Sequence, residues 1–331
     1  MKKKFSTIKN FFWLIYLFFI ISIIIYIFSF YSMQKGRVYN LFWIKSIQEN
    51  LYWHGFIKPF PFECQKHDKR LLYVPREGDC KFSNIEFDTK LSFTKYYRKN
   101  DNKITFEKPE KTPIAVLGDS VSMGWGVNNR ETYASVIERN LKRKVYNFGV
   151  GGYGTHREVL RFIKSPYYKE IDKVIIQYHF NDHEENLFFD EKKIYSADEF
   201  EVLTKKEGFT GTEKAFFALR RFKSIFRLLY REIKGAFVQK GTPDFNVHYD
   251  GILKVLKKYN YLDGKKIILF NVSSHNMQFK NYKIGKFKNI DFVNVNLEDE
   301  RHFFILDDHL NPNGHLEVGK QLTQIINDKG W

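Results

Sequence analysis

Cysteine is scarce in this chain, which has only Cys64 and Cys80 among its 331 residues. No CxxC motif and no Cys/His cluster with zinc-binding spacing occurs, so a structural zinc site is not expected. Two cysteines can form one disulfide bond in an oxidising compartment, whereas both stay free thiols in a reducing one. The compartment in which the chain resides therefore decides between a Cys64–Cys80 bond and two thiols.

Charged side chains are absent from residues 11–31, which read FFWLIYLFFIISIIIYIFSFY. This run matches the roughly 20 apolar residues that span the hydrocarbon core of a bilayer, and it predicts a transmembrane helix. Four lysines precede the run: Lys2, Lys3, Lys4 and Lys9. The positive-inside rule then places the N-terminus in the cytoplasm and the rest of the chain outside, although Lys35 and Arg37 weaken the bias.

A clear small-x-small cleavage site is missing from residues 29–36, and the apolar run is longer than the usual core of a signal peptide. A cleaved signal peptide stays the alternative, but these two features favour an uncleaved signal anchor. We therefore expect a single-pass protein of the inner (cytoplasmic) membrane, with a cytoplasmic tip and anchor in residues 1–33 and a periplasmic main domain. This oxidising location favours a bond between Cys64 and Cys80.

Acidic residues are outnumbered, since 38 Asp and Glu stand against 54 Lys and Arg and leave a formal net charge of +16. Such an excess indicates an acidic partner, which can be a nucleic acid, an anionic lipid or an anionic glycan. An extracytoplasmic location argues against a nucleic-acid partner. The membrane surface and an envelope glycan are therefore the expected partners.

A proline-containing break at residues 108–113 divides the chain after the anchor. Residues 34–110 contain short strand-like stretches and are predicted to be a strand-rich juxtamembrane segment, to which the sequence assigns no function. In residues 111–331, apolar runs alternate with amphipathic stretches. The predicted strands are 114–117, 144–148, 173–179, 265–271 and 290–295, and the predicted helices include 131–143, 156–164 and 247–259. Apolar runs without alternation indicate a parallel sheet covered by helices on both faces, which is a three-layer open α/β fold.

Glycine-rich and polar loops follow the first three predicted strands, and a further polar loop precedes the last helix. These loops are Gly118-Asp119-Ser120, GVGGYG at 149–154, Asn181-Asp182, and DDHLNPNGH at 307–315. In open α/β folds, ligands bind outside the carboxyl ends of the strands. A serine directly after a strand can cap a helix, or it can act as a nucleophile where a base and oxyanion donors lie nearby.

With these four blocks in this order, the sequence resembles the SGNH (GDSL-like) hydrolases, a family of serine esterases and acyltransferases. The resemblance covers about residues 110–331, and the stretches LGDSVSMGWGVNNRETY and YNFGVGGYGTHREV are similar to a bacterial branch of the family. It implies a flavodoxin-like arrangement of the sheet and ester chemistry that requires no metal or organic cofactor.

The resemblance also implies roles for the matched residues. Ser120 is expected to be the nucleophile, and His309 is expected to be its general base. The oxyanion hole is expected to consist of the N–H of Ser120, the N–H of Gly152 and the side-chain amide of Asn181. Gly151 is the neighbouring alternative to Gly152.

The orienting acid departs from the family pattern. The commonest spacing is Asp-x-x-His, and Leu306 occupies that position here. An Asp-x-His arrangement occurs in branches that resemble polysaccharide and peptidoglycan acetylation proteins, so Asp307 is the predicted acid and Asp308 is the alternative. Asp119 is expected to have a structural role in its loop rather than a catalytic one.

Residues 212–240 carry apolar side chains three or four positions apart, with basic residues between them. This pattern predicts a basic amphipathic insertion. It is suited to lying on anionic headgroups, to forming a lid over the site, or to packing on the domain with a solvated basic face.

The sequence thus predicts a membrane-anchored, extracytoplasmic serine esterase or O-acyltransferase acting on acyl esters, chiefly acetyl esters, of a cell-envelope glycan. A membrane partner protein that donates the acyl group would suit the transferase. Two alternatives stay open: a non-catalytic envelope scaffold or glycan-binding protein, and a lipase or thioesterase acting on lipid-linked acyl groups.

Overall fold

The computed structural model describes residues 2–104, 112–190, 192–204, 245–259, 264–273, 289–297 and 300–331. By their contacts, these residues form two units. The first unit contains Met1–Lys58 and the short segment Ile305–Asp307. The second unit contains the described residues of Pro59–Lys206, Gly241–Phe304 and Asp308–Trp331. The predicted insertion at 212–240 lies outside the described residues.

The first unit is built on one long helix, α1 (Lys2–Gln34), followed by α2 (Phe42–Leu51) and the π-helical turn Tyr52–Phe56. Within the described residues, Lys9–Gln34 is the one helix long and apolar enough to cross a membrane, with a mean hydropathy of 2.7. Gln48 joins the two helices, because its side-chain amide donates to Ser32 Oγ at 2.9 Å. The sequence pattern predicted α1 but not the helical residues that follow it.

Two antiparallel hairpins precede the main sheet. Strand β1 (Gln65–Asp68) pairs with β2 (Leu72–Pro75), and β3 (Gly78–Ser83) pairs with β4 (Asp88–Phe93). Cys64 and Cys80 form a disulfide bond that connects the start of the first hairpin to the second hairpin. The favoured pairing of the two cysteines is present.

In the part of the chain that the structure describes, the main sheet consists of five parallel strands. They are β5 (Ile114–Leu117), β6 (Val145–Asn147), β7 (Lys173–Gln177), β8 (Lys266–Ser273) and β9 (Ile290–Asn296). Their spatial order is β6-β5-β7-β8-β9. Numbered along the chain, this is the order 2-1-3-4-5 of flavodoxin-like sheets. Each predicted strand is present within two residues of its expected bounds, so the predicted open parallel α/β fold is confirmed.

Helices cover both faces of this sheet. The α-helices in the described residues of the second unit are α3 (Ser120–Met123), α4 (Tyr133–Leu141), α5 (Thr155–Ile163), α6 (Asp182–Phe188), α7 (Ala197–Thr204), α8 (Phe245–Lys258) and α9 (Pro312–Asp328). Ile114 and Val116 of β5 lie in a core with residues of α4 and α9. Ala115 and Leu117 point to the opposite face, where the core includes residues of α5 and α8. Burial on both faces explains why the strands are apolar without alternation.

The strand order places the candidate loops together. Strand β6 lies on one side of β5 and β7 lies on the other, so the connections diverge at the carboxyl ends of β5 and β7 and leave a crevice there. Ser120 follows β5 and Asn181 follows β7. Two of the predicted site residues therefore flank the point at which ligands bind in folds of this order.

Arg98 ties the segment before the sheet to the loop that follows α3. Its side chain is 1% exposed and donates to the carbonyl oxygens of Met123, Gly124 and Val127. Its Nε donates to Asn129 Oδ1 at 2.9 Å. Burial lowers the pKa of the Arg98 guanidinium to about 9, which leaves the group charged at neutral pH. The segment before the sheet thus braces the loop behind the candidate nucleophile.

Replacing Arg98 with methionine is expected to lower the free energy of unfolding by about 3 kcal/mol, because each buried carbonyl left without a donor costs about 1–3 kcal/mol. Urea denaturation of the full chain in detergent, followed by tryptophan fluorescence, measures the change. Lys99→Met alters the exposed neighbouring side chain and is the control. Equal stability of the two variants would show that the loop does not depend on Arg98.

Candidate active site

Ser120 is the first residue of α3, directly after the sharp turn that ends β5. Gly118 in this turn has a φ of +152°, and a Cβ at Gly118 would lie 2.0 Å from Ser122 Oγ. Only glycine fits this position, since any side chain would collide with α3. The glycine of Gly-Asp-Ser is therefore required by the close approach of the strand end to the helix that carries Ser120.

Asp119, and not Ser120, caps α3. The Asp119 carboxylate accepts a hydrogen bond from the backbone N–H of Val121 at 2.9 Å, and the Asp119 side chain is 1% exposed. Such a carboxylate satisfies a backbone donor that the first turn of a helix leaves unpaired. This contact is the structural role expected for Asp119, and it leaves the hydroxyl of Ser120 for another partner.

That partner is His309. Its Nε2 lies 2.7 Å from Ser120 Oγ, which is hydrogen-bonding distance, although the two residues are 189 positions apart in the chain. The His309 ring is stacked on the indole of Trp125, with ring centroids 4.9 Å apart and an angle of 16° between the planes. A hydroxyl bonded to an imidazole is the pair that a serine nucleophile and its general base require.

The two candidate acids differ in their surroundings. Asp307, in the first unit, is 1% exposed, and its Oδ2 accepts a hydrogen bond from the hydroxyl of Tyr52 at 2.6 Å. The side chain of Asp308 is 70% exposed, and its Oδ1 lies 3.7 Å from His309 Nδ1. That separation is too long for a hydrogen bond. The assignment of Asp307 as orienting acid stays a prediction.

The glycine turn after β6 lies against the nucleophile, since a Cβ at Gly151 would lie 3.7 Å from Ser120 Cβ. Gly152 has a φ of +74°, in the left-handed region that favours glycine. The N–H of Gly151 donates to Met123 Sδ at 3.3 Å, while its carbonyl accepts a hydrogen bond from Tyr73. The carbonyl of Gly152 accepts a hydrogen bond from Arg157.

Asn181 immediately precedes α6 and is exposed. Its Oδ1 lies 2.9 Å from His179 Nδ1, and the same His179 nitrogen lies 3.8 Å from Asp119 Oδ2. If Nδ1 carries the proton, His179 donates to the amide oxygen, and the amide NH₂ of Asn181 faces the other way. The role of Asn181 as an oxyanion donor stays a prediction.

Two buried carboxyl groups lie close to this loop. Asp182 is 1% exposed and accepts hydrogen bonds from Thr155 Oγ1 at 3.2 Å and from the N–H of His179 at 3.3 Å. Glu158 is equally buried. Burial raises the pKa of both carboxyl groups, and the charge of Asp119 raises them further. A raised pKa favours the uncharged acid.

The structure adds residues that the sequence reasoning did not assign. Trp125 lies within the first motif block, so its place near Ser120 could have been inferred from the sequence, but its stacking on His309 could not. Tyr73 carries no motif signal, and its contact with Gly151 joins residues 78 positions apart, so it becomes visible only in the folded chain. Arg157 lies in the second motif stretch, five positions after Gly152, so its place near the glycine turn could have been inferred, but its bond to the Gly152 carbonyl could not.

No protein-family model matches this chain, and no curated protein sequence is significantly similar to it. Several solved structures are similar. A protein described as lipolytic and of the G-D-S-L family, from Desulfitobacterium hafniense, shares 12% identity over 65% of this chain and 99% of its own, with a TM-score of 0.39. An acetyl xylan esterase from the rumen bacterium Butyrivibrio proteoclasticus shares 12% identity over 73% of this chain and 67% of its own, with a TM-score of 0.40.

A family two carbohydrate esterase from Clostridium thermocellum shares 12% identity over 67% of this chain and 65% of its own, with a TM-score of 0.37. At such identities and TM-scores, the functional conclusion rests on the geometry of the site in this chain.

Loss of the Trp125 ring is expected to reduce catalysis modestly. An aromatic stacking contact contributes about 0.5–1.5 kcal/mol, so Trp125→Leu should lower kcat about 3- to 10-fold if the contact holds the His309 ring towards Ser120. Hydrolysis of p-nitrophenyl acetate measures the effect. Trp125→Phe keeps a stacked ring and should recover most of the activity, whereas equal rates for the two variants would contradict a role for stacking.

Proposed function

We propose that this chain is a membrane-anchored serine esterase or O-acyltransferase that acts on acyl esters of a cell-envelope glycan. The observation that carries the proposal is the 2.7 Å hydrogen bond between His309 Nε2 and Ser120 Oγ at the carboxyl end of β5. A helix cap needs no such base, and Asp119 already caps α3. The hydroxyl of Ser120 is therefore free of a capping role and bonded to a base.

In the proposed reaction, His309 takes the proton of the Ser120 hydroxyl while Oγ attacks the ester carbonyl carbon. The tetrahedral intermediate collapses when His309 returns the proton to the departing alcohol, and this leaves an acyl group on Ser120. Water or a sugar hydroxyl then attacks the acyl carbon with His309 again as the base. Attack by water completes hydrolysis, and attack by a sugar hydroxyl completes transfer.

The negative oxygen of each intermediate needs fixed donors, which are the N–H of Ser120, the N–H of Gly152 and the side-chain amide of Asn181. The N–H of Gly151 is engaged with Met123 Sδ, which favours Gly152 over Gly151 as the donor. The contact between Asn181 and His179 supports an amide whose NH₂ points away from His179. No step of this mechanism requires a metal or an organic cofactor.

Asp307 is the proposed orienting acid. A triad acid is buried and bonded, because a carboxylate held in place keeps the imidazole in one tautomer and stabilises the imidazolium. Asp307 is buried and bonded to Tyr52, whereas Asp308 is exposed to solvent. These surroundings support Asp307 over Asp308.

The proposed substrate follows from location and charge. The apolar helix Lys9–Gln34 supports a membrane anchor. The four lysines that precede the apolar run support the proposed orientation, with a cytoplasmic N-terminus and a periplasmic catalytic domain. The net charge of +16 suits an anionic surface such as an envelope glycan or headgroups. An acetylated glycan is the proposed substrate, and a membrane partner protein that donates acyl groups would serve the transferase reaction.

A second candidate function is a lipase or thioesterase that acts on lipid-linked acyl groups. Three large apolar side chains are exposed just before and at the end of α6, the helix that follows Asn181: Phe180 at 54%, Leu187 at 52% and Phe188 at 80%. Exposed apolar side chains on this part of the chain suit a long acyl chain better than an acetyl group. Rates with acetyl and long-chain p-nitrophenyl esters distinguish the two candidates.

Ser120→Ala is expected to lower kcat for p-nitrophenyl acetate by about 10,000-fold or more, because the variant has no nucleophile. Release of acetate from an acetylated glycan and labelling by a fluorophosphonate should be lost as well. Ser122→Ala is the matched control, since Ser122 is a buried serine two positions away whose hydroxyl contacts Gln177 Oε1 at 3.2 Å. Absence of labelling and of turnover in the unchanged chain would instead favour a non-catalytic scaffold.

Asp307→Asn is expected to lower kcat about 10,000-fold, whereas Asp308→Asn should change it less than about 10-fold, because only the former removes the proposed partner of the imidazole. Steady-state kinetics with p-nitrophenyl acetate compare the two variants, which have the same change in charge and size. The opposite ranking would assign the role to Asp308.

A further inference from the structure

We propose that Tyr73, in the hairpin before the main sheet, is a positioning residue that holds the Gly151–Gly152 peptide of the oxyanion hole. The inference rests on the proposed function, which assigns the N–H of Gly152 to the developing oxyanion. The hairpin of β1 and β2 lies outside the four motif blocks. The hairpin would thus contribute to catalysis although its sequence contains no recognisable motif.

The central contact is the hydrogen bond that the Tyr73 hydroxyl donates to the carbonyl oxygen of Gly151 at 2.9 Å. This carbonyl and the N–H of Gly152 belong to one planar trans peptide, so they point in opposite directions. A bond that fixes the carbonyl therefore also fixes the direction of the N–H. The approach is close, because a Cβ at Gly152 would lie 2.8 Å from the same hydroxyl oxygen.

Arg157 holds the next peptide. Its guanidinium donates to the carbonyl oxygen of Gly152 and forms two hydrogen bonds with the Glu185 carboxylate, one of them at 2.8 Å. The same guanidinium lies over the ring of Tyr73, 5.3 Å from its centroid. Both carbonyls around the left-handed Gly152 are thus bonded, and the two donors contact each other.

Side chains from the glycine turn and from α5 also donate hydrogen bonds to backbone carbonyls of the hairpin. The hydroxyl of Tyr153 donates to the carbonyl oxygen of Tyr73, and the two rings lie 5.4 Å apart. The carbonyl of Leu71 accepts a hydrogen bond from Arg157 at 3.4 Å. Strand β2 is therefore attached to the turn by side chains from both partners, so the Tyr73 hydroxyl has a defined position.

The two consecutive glycines explain why the hydrogen bonds from Tyr73 and Arg157 matter. Without a Cβ, Gly151 and Gly152 have wide conformational freedom, and rotation of the peptide between them would turn its N–H away from an oxyanion. A donor that is already aligned stabilises the transition state without reorganisation. Burial raises the pKa of the Tyr73 phenol, so the hydroxyl stays protonated and able to donate in neutral and mildly alkaline solution.

The test is Tyr73→Phe in the full chain, which removes the hydroxyl and keeps the ring on Arg157. With p-nitrophenyl acetate, we expect kcat to fall about 10-fold and KM to stay within about 2-fold. A misaligned N–H of Gly152 stabilises the transition state less well but hardly changes the binding of the substrate. The rate of inactivation by a fluorophosphonate, which also places an oxygen in the oxyanion hole, should fall in parallel. Tyr146→Phe, at a half-buried tyrosine of β6 packed on Tyr97 and Tyr167, is the control.

Thermal unfolding of both variants separates positioning from stability. A Tyr73→Phe protein that melts like the Tyr146→Phe control and keeps kcat within about 2-fold of the unchanged chain would overturn the inference, as would a rise in KM with kcat unchanged. Ser120→Ala is assayed beside them. Full activity in that variant contradicts the proposed function itself, whereas loss of activity in Ser120→Ala with normal kcat in Tyr73→Phe rejects only the role of Tyr73.

Discussion

Parallel pairing of β5 between β6 and β7 is the constraint on which the candidate site depends. It brings the carboxyl ends of β5 and β7 to one edge, so Ser120 and Asn181 emerge side by side although 60 residues separate them in the chain. The same sheet carries α9 on one face, and the loop before α9 delivers His309 to Ser120. The hydrogen bond between serine and histidine is thus a consequence of strand order and of where the last helix packs.

The segment between the anchor and the main sheet is built into this arrangement. Arg98 bonds the carbonyls of the loop behind Ser120, and Tyr73 bonds the glycine turn beside it. Both side chains donate to backbone carbonyl groups, which every residue has. These contacts therefore cannot be recognised from the sequence of the two loops. Residues to which the sequence assigned no function therefore contact two loops of the proposed site.

Strands and motif blocks were predictable because their signals are local. An apolar run such as Ile114–Leu117 is apolar because both faces of its strand are covered, and Gly118 is glycine because α3 passes within contact distance. The helical residues Phe42–Phe56 were not predicted. A structural role was expected for Asp119 and the pairing of Ser120 with His309 was expected from the resemblance, but the sequence did not show that Asp119, and not Ser120, caps α3. Sequence alone could not separate these two neighbours, since both residue types are good caps.

The sequence by itself determined the apolar helix near the N-terminus, the parallel α/β fold and the residue types that the proposed chemistry needs. These features can be read from composition and periodicity over short stretches. The composition of each stretch reflects whether it lies in lipid, in the protein core or in solvent. Only the tertiary structure decided which residues meet: His309 with Ser120, Tyr52 with Asp307, and Tyr73 with Gly151. The physical reason is that each of these bonds joins parts of the chain at least 78 positions apart, so its formation depends on how the elements pack and not on any local pattern.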